Sequence, residues 1–157
     1  MMDIRPLAPS EYDDAVTLWH ATGLTRPWND PRADIERAAS GPSSAVLGGF
    51  VDGELVATVM TGHDGHRGWV YYLAVQPARQ GQGLGAQIMQ AAEAWLSAAG
   101  VVKLQLMVRS DNEPASGFYF HIGYELSDVQ VFAKWLTPSP GRCLPPSDFS
   151  GQVQRCT

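Results

Sequence analysis

The sequence predicts an α/β domain, a mixed, mostly antiparallel sheet flanked by helices, and three observations carry that expectation. Two strand-like runs, Ala45 to Val51 and Leu55 to Thr61, are joined by Asp52-Gly53, a dipeptide that favours the type I′ turn of a hairpin. A third apolar run, Val70 to Val75, follows after the short turn His63-Asp64-Gly65-His66-Arg67-Gly68. It extends the pair into an antiparallel meander and argues against a doubly wound parallel sheet. Helical periodicity then appears, with Leu84, Ile88, Ala91, Ala92, Trp95, Leu96 and Ala99 on one face and Gly100 as the stop.

The remaining elements follow from local chemistry. Ile4 to Leu7 is expected as a first strand. Ser10, with Asp13 three residues later, has the form of a capping box, opening a helix whose apolar face carries Tyr12, Val16, Leu18 and Trp19. His20 near its end suits a helix C-terminus. Thr22 to Pro31 is a loop, and Asp30-Pro31 starts a second helix that runs to about Ala39. Val101 to Val108 alternates as a strand, Asn112 to about Ile122 is a short helix ended by Gly123, and Tyr124 to Leu126 with Val129 to Leu136 closes the sheet as a hairpin. Residues 1–136 therefore read as a single domain. Residues 137–157 are proline-rich and without periodicity, which predicts an extended or poorly ordered tail with Leu144 and Phe149 able to dock on a neighbour.

Composition narrows the function classes. The chain of 157 residues is long enough to bury one core, and 45% hydrophobic with 17% charged residues indicates a soluble globular protein. A net charge of −5 argues against a nucleic-acid surface and mildly favours cationic substrates. No apolar run approaches the roughly 18 residues of a membrane span, and the start of the chain has no signal-peptide stretch, so no membrane association and a cytoplasmic location are expected. Cys143 and Cys156 both stand in the tail, and His63 and His66 lack a third ligand at suitable spacing, so no disulfide framework and no metal are expected.

The chemistry concentrates after the third strand. Gly81, Gly83 and Gly85 alternate just before a helix, where bare backbone N–H groups can converge on an anion such as phosphate. Gly81-x-Gly83-x-x-Ala86 also fits a dinucleotide fingerprint. Yet Val101 to Gln105 supplies no acidic residue where that fingerprint requires one, and no lysine of Walker type follows the glycines.

Gln80-Gly81-Gln82-Gly83-Leu84-Gly85 resembles the Q/R-x-x-G-x-G/A signature of the GNAT family of N-acetyltransferases, with the preceding hydrophobic strand and Val-x-Pro in place. A second block, Asn112-Glu113-Pro114-Ala115 with Phe118-Tyr119 and Gly123-Tyr124, is similar to the family's next signature in order and spacing. The resemblance covers residues 3 to 136. Arg26 to Asp30, Asp64 to Gly68, Asp128-Val129 and Lys134-x-Leu136 are similar to the YpeA-type bacterial acetyltransferases within it. Gly117 and Tyr124 depart from the commoner residues without touching the expected site.

What the resemblance implies is a sheet splayed at its central strands and a transfer of acetyl from acetyl-CoA to a primary amine. Leu73, Ala74 and Val75 match the strand whose backbone pairs with the pantetheine arm. Gln80, Gly81, Gln82, Gly83, Leu84 and Gly85 match the pyrophosphate loop, and Asn112 and Ala115 match the block beside the pantetheine. Tyr119 matches the tyrosine that faces the thioester sulfur, where a donated hydrogen bond would stabilise developing charge. Relatives often carry a Glu on or near the central strand to take the amine proton. Gly68 to Val75 contains no acid, which leaves His66 as the expected base, with Asp64 and His63 as alternatives and Tyr71 or Tyr72 to hold a water.

Trp28 and Asn29, in a loop that is either simple turn chemistry or a substrate wall, form the expected acceptor site with Asp64 and Tyr72. The partner is then a small-molecule or peptide amine acceptor, and the oligomeric state is open, a homodimer included. Two other readings stay in view: a non-catalytic module that binds acyl-CoA, and a dinucleotide-dependent oxidoreductase.

Overall fold

A computed structural model describes residues 1–138, so the tail beyond, with Leu144 and Phe149, lies outside the described residues. In chain order the elements are β1 (Asp3–Pro6), α1 (Tyr12–Ala21), α2 (Pro31–Ala39), β2 (Ser44–Val51), β3 (Glu54–His63), β4 (Gly68–Val75), α3 (Leu84–Ala98), β5 (Leu104–Gln105) and α4 (Glu113–His121). The five strands form one sheet in the order β1-β2-β3-β4-β5. Its first four strands pair antiparallel and β5 runs parallel to β4, the mixed, mostly antiparallel sheet that the meander predicts.

Local chemistry accounts for most element boundaries. Asp52 and Gly53 both take positive φ, 51° and 82°, as the I′ turn between β2 and β3 requires. The Asp30 side chain accepts the Ala33 N–H and Pro31 occupies the first turn of α2. At the end of α4, Gly123 turns left-handed at φ 95°, and the Tyr124 N–H reaches back to the Tyr119 carbonyl at 2.9 Å.

Two apolar layers hold the helices to the sheet. On one face α1 and α2 bury Ala15, Leu18, Trp19 and Ile35 against Val46, Phe50, Leu55 and Ala74. On the other, α3 buries Leu84, Ile88, Met89 and Ala92 against Leu47, Val56, Val59 and Val70. Each of the larger side chains contributes roughly 1.5–3 kcal/mol by leaving water.

Three sequence expectations are corrected. Ser10 does not cap α1: Pro9–Glu11 first forms a 3₁₀ turn, in which the Glu11 carboxylate accepts the Ala8 N–H at 2.7 Å and is gripped by Arg5. With that donor already satisfied by Glu11, the helix proper starts at Tyr12. The strand expected over Val101 to Val108 is reduced to Leu104–Gln105, because only Gly68 and Trp69 of β4 face it in register. The closing hairpin is absent among the described residues, and Leu126, Phe132 and Leu136 are 87%, 91% and 92% exposed. A two-residue β5 offers too short a template for further strands, however well the downstream alternation suits one.

Candidate functional site

The glycine loop serves two separate needs. Gly81 and Gly83 sit at φ 78° and 79°, a left-handed conformation that glycine adopts without strain, and a Cβ built on either would meet nothing within 4 Å. Gly83 is the N-cap of α3, and no side chain caps that end. The first-turn N–H groups therefore lack intrahelical partners and carry the positive end of a 15-residue helix dipole. Gly85 answers to packing instead: a Cβ there would stand 3.2 Å from the Phe118 ring, so glycine lets α3 and α4 approach. Gln80 closes the loop by donating its Nε2 to the Val75 carbonyl at 3.3 Å, while the exposed Gln82 and buried Leu84 flank the helix start.

The β4 edge beside this loop is open. Pairing with β5 stops at Trp69 and Gln105, while Val75 and Ala74 continue to pair with Ala57 and Thr58 on the β3 side. Leu73 and Val75 send their side chains into the α3 layer, and Ala74 is buried in the opposite layer. On the β5 side their backbone has no strand partner, which is where an extended ligand could add itself.

α4 brings a tyrosine to the same layer. Asn112 caps this helix by accepting the Ala115 N–H at 3.2 Å, so this matched pair is first of all a helix cap. Phe118 and Tyr119 pack on the α3 layer together with Leu73, Val75 and Tyr124. Tyr119 meets Phe118 and Tyr124 edge to face, at 5.1 and 5.7 Å between ring centres. Its hydroxyl makes no hydrogen bond among the described residues, and burial pushes its pKa up to about 12, so the phenol holds its proton at neutral pH. The Tyr124 hydroxyl, by contrast, donates to Glu93 at 2.7 Å.

The other face of β4 opens on a cavity of about 640 Å³ whose lining includes Asn29, Asp34, Asp64, Trp69, Tyr71 and Tyr72. A β-bulge shapes it. Between the Thr58–Ala74 and Met60–Tyr71 pairs β4 carries one residue more than β3, and Tyr72 there adopts φ 51°, unusual for a side chain of its size. The bulge breaks the two-residue alternation, so the consecutive Tyr71 and Tyr72 both line the cavity.

Buried partners hold this strained residue in place. Its ring stacks on Trp19 at 3.8 Å, Trp19 Nε1 donates to Thr58 Oγ1 at 2.8 Å, and that hydroxyl donates to the Tyr72 carbonyl at 3.0 Å. The Tyr72 hydroxyl donates to Asp34 Oδ2 at 2.7 Å. Burial and this carboxylate together raise the Tyr72 pKa well above the ordinary phenol range.

The structure thus brings three of the four expected acceptor residues, Asn29, Asp64 and Tyr72, to one cavity; Trp28 does not line it. Asp64 is also a turn residue, taking the Arg67 and His66 N–H groups at 2.8 and 2.9 Å, and these bonds hold its carboxyl at about 2. His66 is exposed on that turn and away from the cavity lining, whereas His63 is part of it. Asp34 and Trp69 are cavity residues to which sequence reading gave no role, and Tyr71, expected only as an alternative to Tyr72 for holding a water, lines the cavity with them. Asp34 reads as an ordinary first-turn acid of α2, and no sequence signal marks the bulge that turns Tyr71 and Tyr72 to one side.

Among the described residues no three His, Cys, Asp or Glu side chains group as a metal site, and no helix is long and apolar enough to cross a membrane. The interrupted β4–β5 seam lies beside an uncapped, glycine-rich helix start, and a family model gives the class of protein that carries them. The model for the acetyltransferase (GNAT) family matches residues 13–124, and the chain belongs to that family. It is an acetyl-CoA-dependent N-acetyltransferase by class, with acetyl-CoA as co-substrate.

Solved structures share the fold. The aminoglycoside acetyltransferase AAC(6')-Iy, in complex with the bisubstrate analog CoA-S-monomethyl-acetylneamine, superposes with a TM-score of 0.75 at 16% identity, over 86% of this chain and 98% of that one. The aminoglycoside antibiotic 6'-N-acetyltransferase AAC(6')-IG from Acinetobacter haemolyticus matches with 0.71 at 18% identity, over 87% and 100%. A transcriptional regulator from Bacillus halodurans C-125 matches with 0.73 at 15% identity, over 86% and 100%.

Proposed function

We propose that the protein transfers the acetyl group of acetyl-CoA to a primary amine by direct attack in a ternary complex, and that residues 1–136 form the single catalytic domain. The observation that carries this reading is one juxtaposition on the α3 face. The uncapped start of α3 with Gly81 and Gly83, the unpaired edge of Leu73 to Val75, and the unpartnered Tyr119 hydroxyl all belong to the region packed on that layer.

The residues present suit the co-substrate. Amides at Gly81 to Gly85, with Gln80 and Gln82 beside them, would hold a diphosphate, as glycine loops at helix starts do. Leu73, Ala74 and Val75 would pair with the pantetheine through backbone alone, while Asn112 and Ala115 shape the α4 start next to it. Acetyl-CoA supplies an activated thioester. Tyr119, protonated at neutral pH, would donate a hydrogen bond toward the sulfur as negative charge gathers there.

The amine acceptor would enter from the cavity on the opposite face of β4. An alkyl amine with a pKa near 10.4 is neutral in fewer than about one molecule in a thousand at pH 7, a handicap of roughly 4–5 kcal/mol that a base must relieve. His63 in the cavity lining is better placed for this than His66 on the outer turn, with Asp64 and Tyr72 able to order a water between them. No cysteine stands among residues 1–138, so these supply no thiol for an acyl-enzyme. Small-molecule acceptors are favoured by the folds it shares with aminoglycoside acetyltransferases. A peptide amine is the other acceptor class, the YpeA-type bacterial branch is the subgroup we assign, and the cytoplasm is the compartment we assign.

The test is calorimetric titration with CoA. Gly83→Glu would fill the cradle, strain a left-handed position and set a carboxylate against phosphate. Binding is expected for the native protein and to be lost in the variant; equal affinity in both would overturn the assignment of the loop.

A further inference from the structure

We propose that the cavity on the α1–α2 face is an ammonium-recognition subsite anchored by Asp34, so that the acceptor is a diamine or polyamine held here by one cationic group while another amine reacts. The inference rests on the acetyltransferase reading and narrows it to a substrate class.

The lining has the chemistry of cation recognition. Trp69, Tyr71 and Tyr72 present aromatic surface, and the carboxylates of Asp34 and Asp64 stand among them, with the Arg37 guanidinium and the His63 ring also in the lining. An ammonium ion is bound by aromatic faces through the ring quadrupole and by carboxylates through charge-assisted hydrogen bonds. Asp34 is the better anchor of the two. Asp64 is exposed and its carboxylate is spent on its own turn, one oxygen taking the His66 and Arg67 N–H groups and the other the Trp69 indole at 3.4 Å, whereas Asp34 is half-buried, with one oxygen on Tyr72 and the other on the exposed Arg37.

Asp34 is held for the purpose from behind. Tyr72 fixes its Oδ2, and Tyr72 is in turn clamped by the stack on Trp19 and by the Thr58 hydroxyl. Its other oxygen faces only Arg37, at 3.0 Å; the Asp34 side chain is 24% exposed and that of Arg37 75%. Such a solvated partner contributes little, and an incoming ammonium can take its place.

Calorimetry on the CoA-loaded protein tests this with three probes of matched length: putrescine, n-butylamine and γ-aminobutyrate. Putrescine is expected to bind at least about tenfold more tightly than either of the others, the scale of one charge-assisted contact. Asp34→Asn should raise the putrescine Kd about tenfold and leave the CoA Kd unchanged. Arg37→Ala, at an exposed position that does not threaten folding, should lower the putrescine Kd, an effect that a merely structural role for Asp34 would not produce. Equal affinity for diamine and monoamine, preference for the carboxylate probe, no measurable diamine binding, or indifference to Asp34→Asn would each overturn the subsite. With CoA bound normally, those failures leave the acetyltransferase reading standing; loss of CoA binding in the native protein would instead bring down that reading.

Discussion

Tyr72 is the residue at which backbone strain and the candidate acceptor cavity meet. A tyrosine at φ 51° is sustained only when its surroundings over-determine it, and here a ring stack and a two-step hydrogen-bond chain through Trp19 and Thr58 do so. Thr58 is fully buried and serves as both acceptor and donor in that chain. Replacing it with valine keeps the shape and leaves the Trp19 N–H and the Tyr72 carbonyl without this partner. We expect Thr58→Val to lower stability by roughly 2–4 kcal/mol in denaturant unfolding. A loss below about 0.5 kcal/mol would show that the chain does not hold the bulge. At this scale the sequence was legible only where a residue carries its own signal. Gly81 and Gly83 announce positive φ by lacking a side chain, and Tyr119 stands inside a spaced signature. Asp34 announces nothing, reading as an ordinary first-turn acid of α2, and Tyr71 or Tyr72 suggested only a held water, since their turning to one side depends on a bulge created by strand register.

The elements separate into those that local chemistry defines and those that need a partner. The Asp52-Gly53 turn, the Asp30-Pro31 start of α2 and the Gly123 stop form as their residues predict, and the α3 face does so in Leu84, Ile88, Ala92 and Leu96, with Met89 buried beside them and Ala99 left exposed past the helix end. The C-terminal hairpin does not, although Val129 to Leu136 alternates well, because alternation specifies which face a strand buries and not whether an edge is there to receive it. Exposure of this segment makes a definite prediction. Phe132→Ser should change unfolding free energy by less than about 0.5 kcal/mol, as at other surface positions. A loss of roughly 2–4 kcal/mol would show that the segment packs as the sequence pattern expects. The same comparison explains β5: its eight-residue expectation shrinks to Leu104–Gln105 because β4 turns away after Trp69, and that divergence is what opens the seam.

Across the whole molecule β4 is the partition. Its α3 side gathers the helix start, the open strand edge and Tyr119; its α1–α2 side carries the aromatic cavity lined by Asp34, Asp64 and Arg37. A net charge of −5 suits a cationic acceptor approaching the second side. Family membership and the mixed sheet were readable from two ordered motifs. The candidate acceptor cavity was readable only in part: Asn29, Asp64 and Tyr72 were expected there, but Asp34 and Trp69 come from α2 and β4, distant in sequence and individually ordinary. The central claim is that the Tyr119 phenol acts on an acyl thioester seated at the start of α3. Its most direct test is the rate of thiol release from acetyl-CoA, with saturating amine, by native protein and by Tyr119→Phe. Tyr119→Phe is expected to lower kcat about a hundredfold with the CoA Kd unchanged; an equal kcat in the two proteins would show that the phenol takes no part in the transfer.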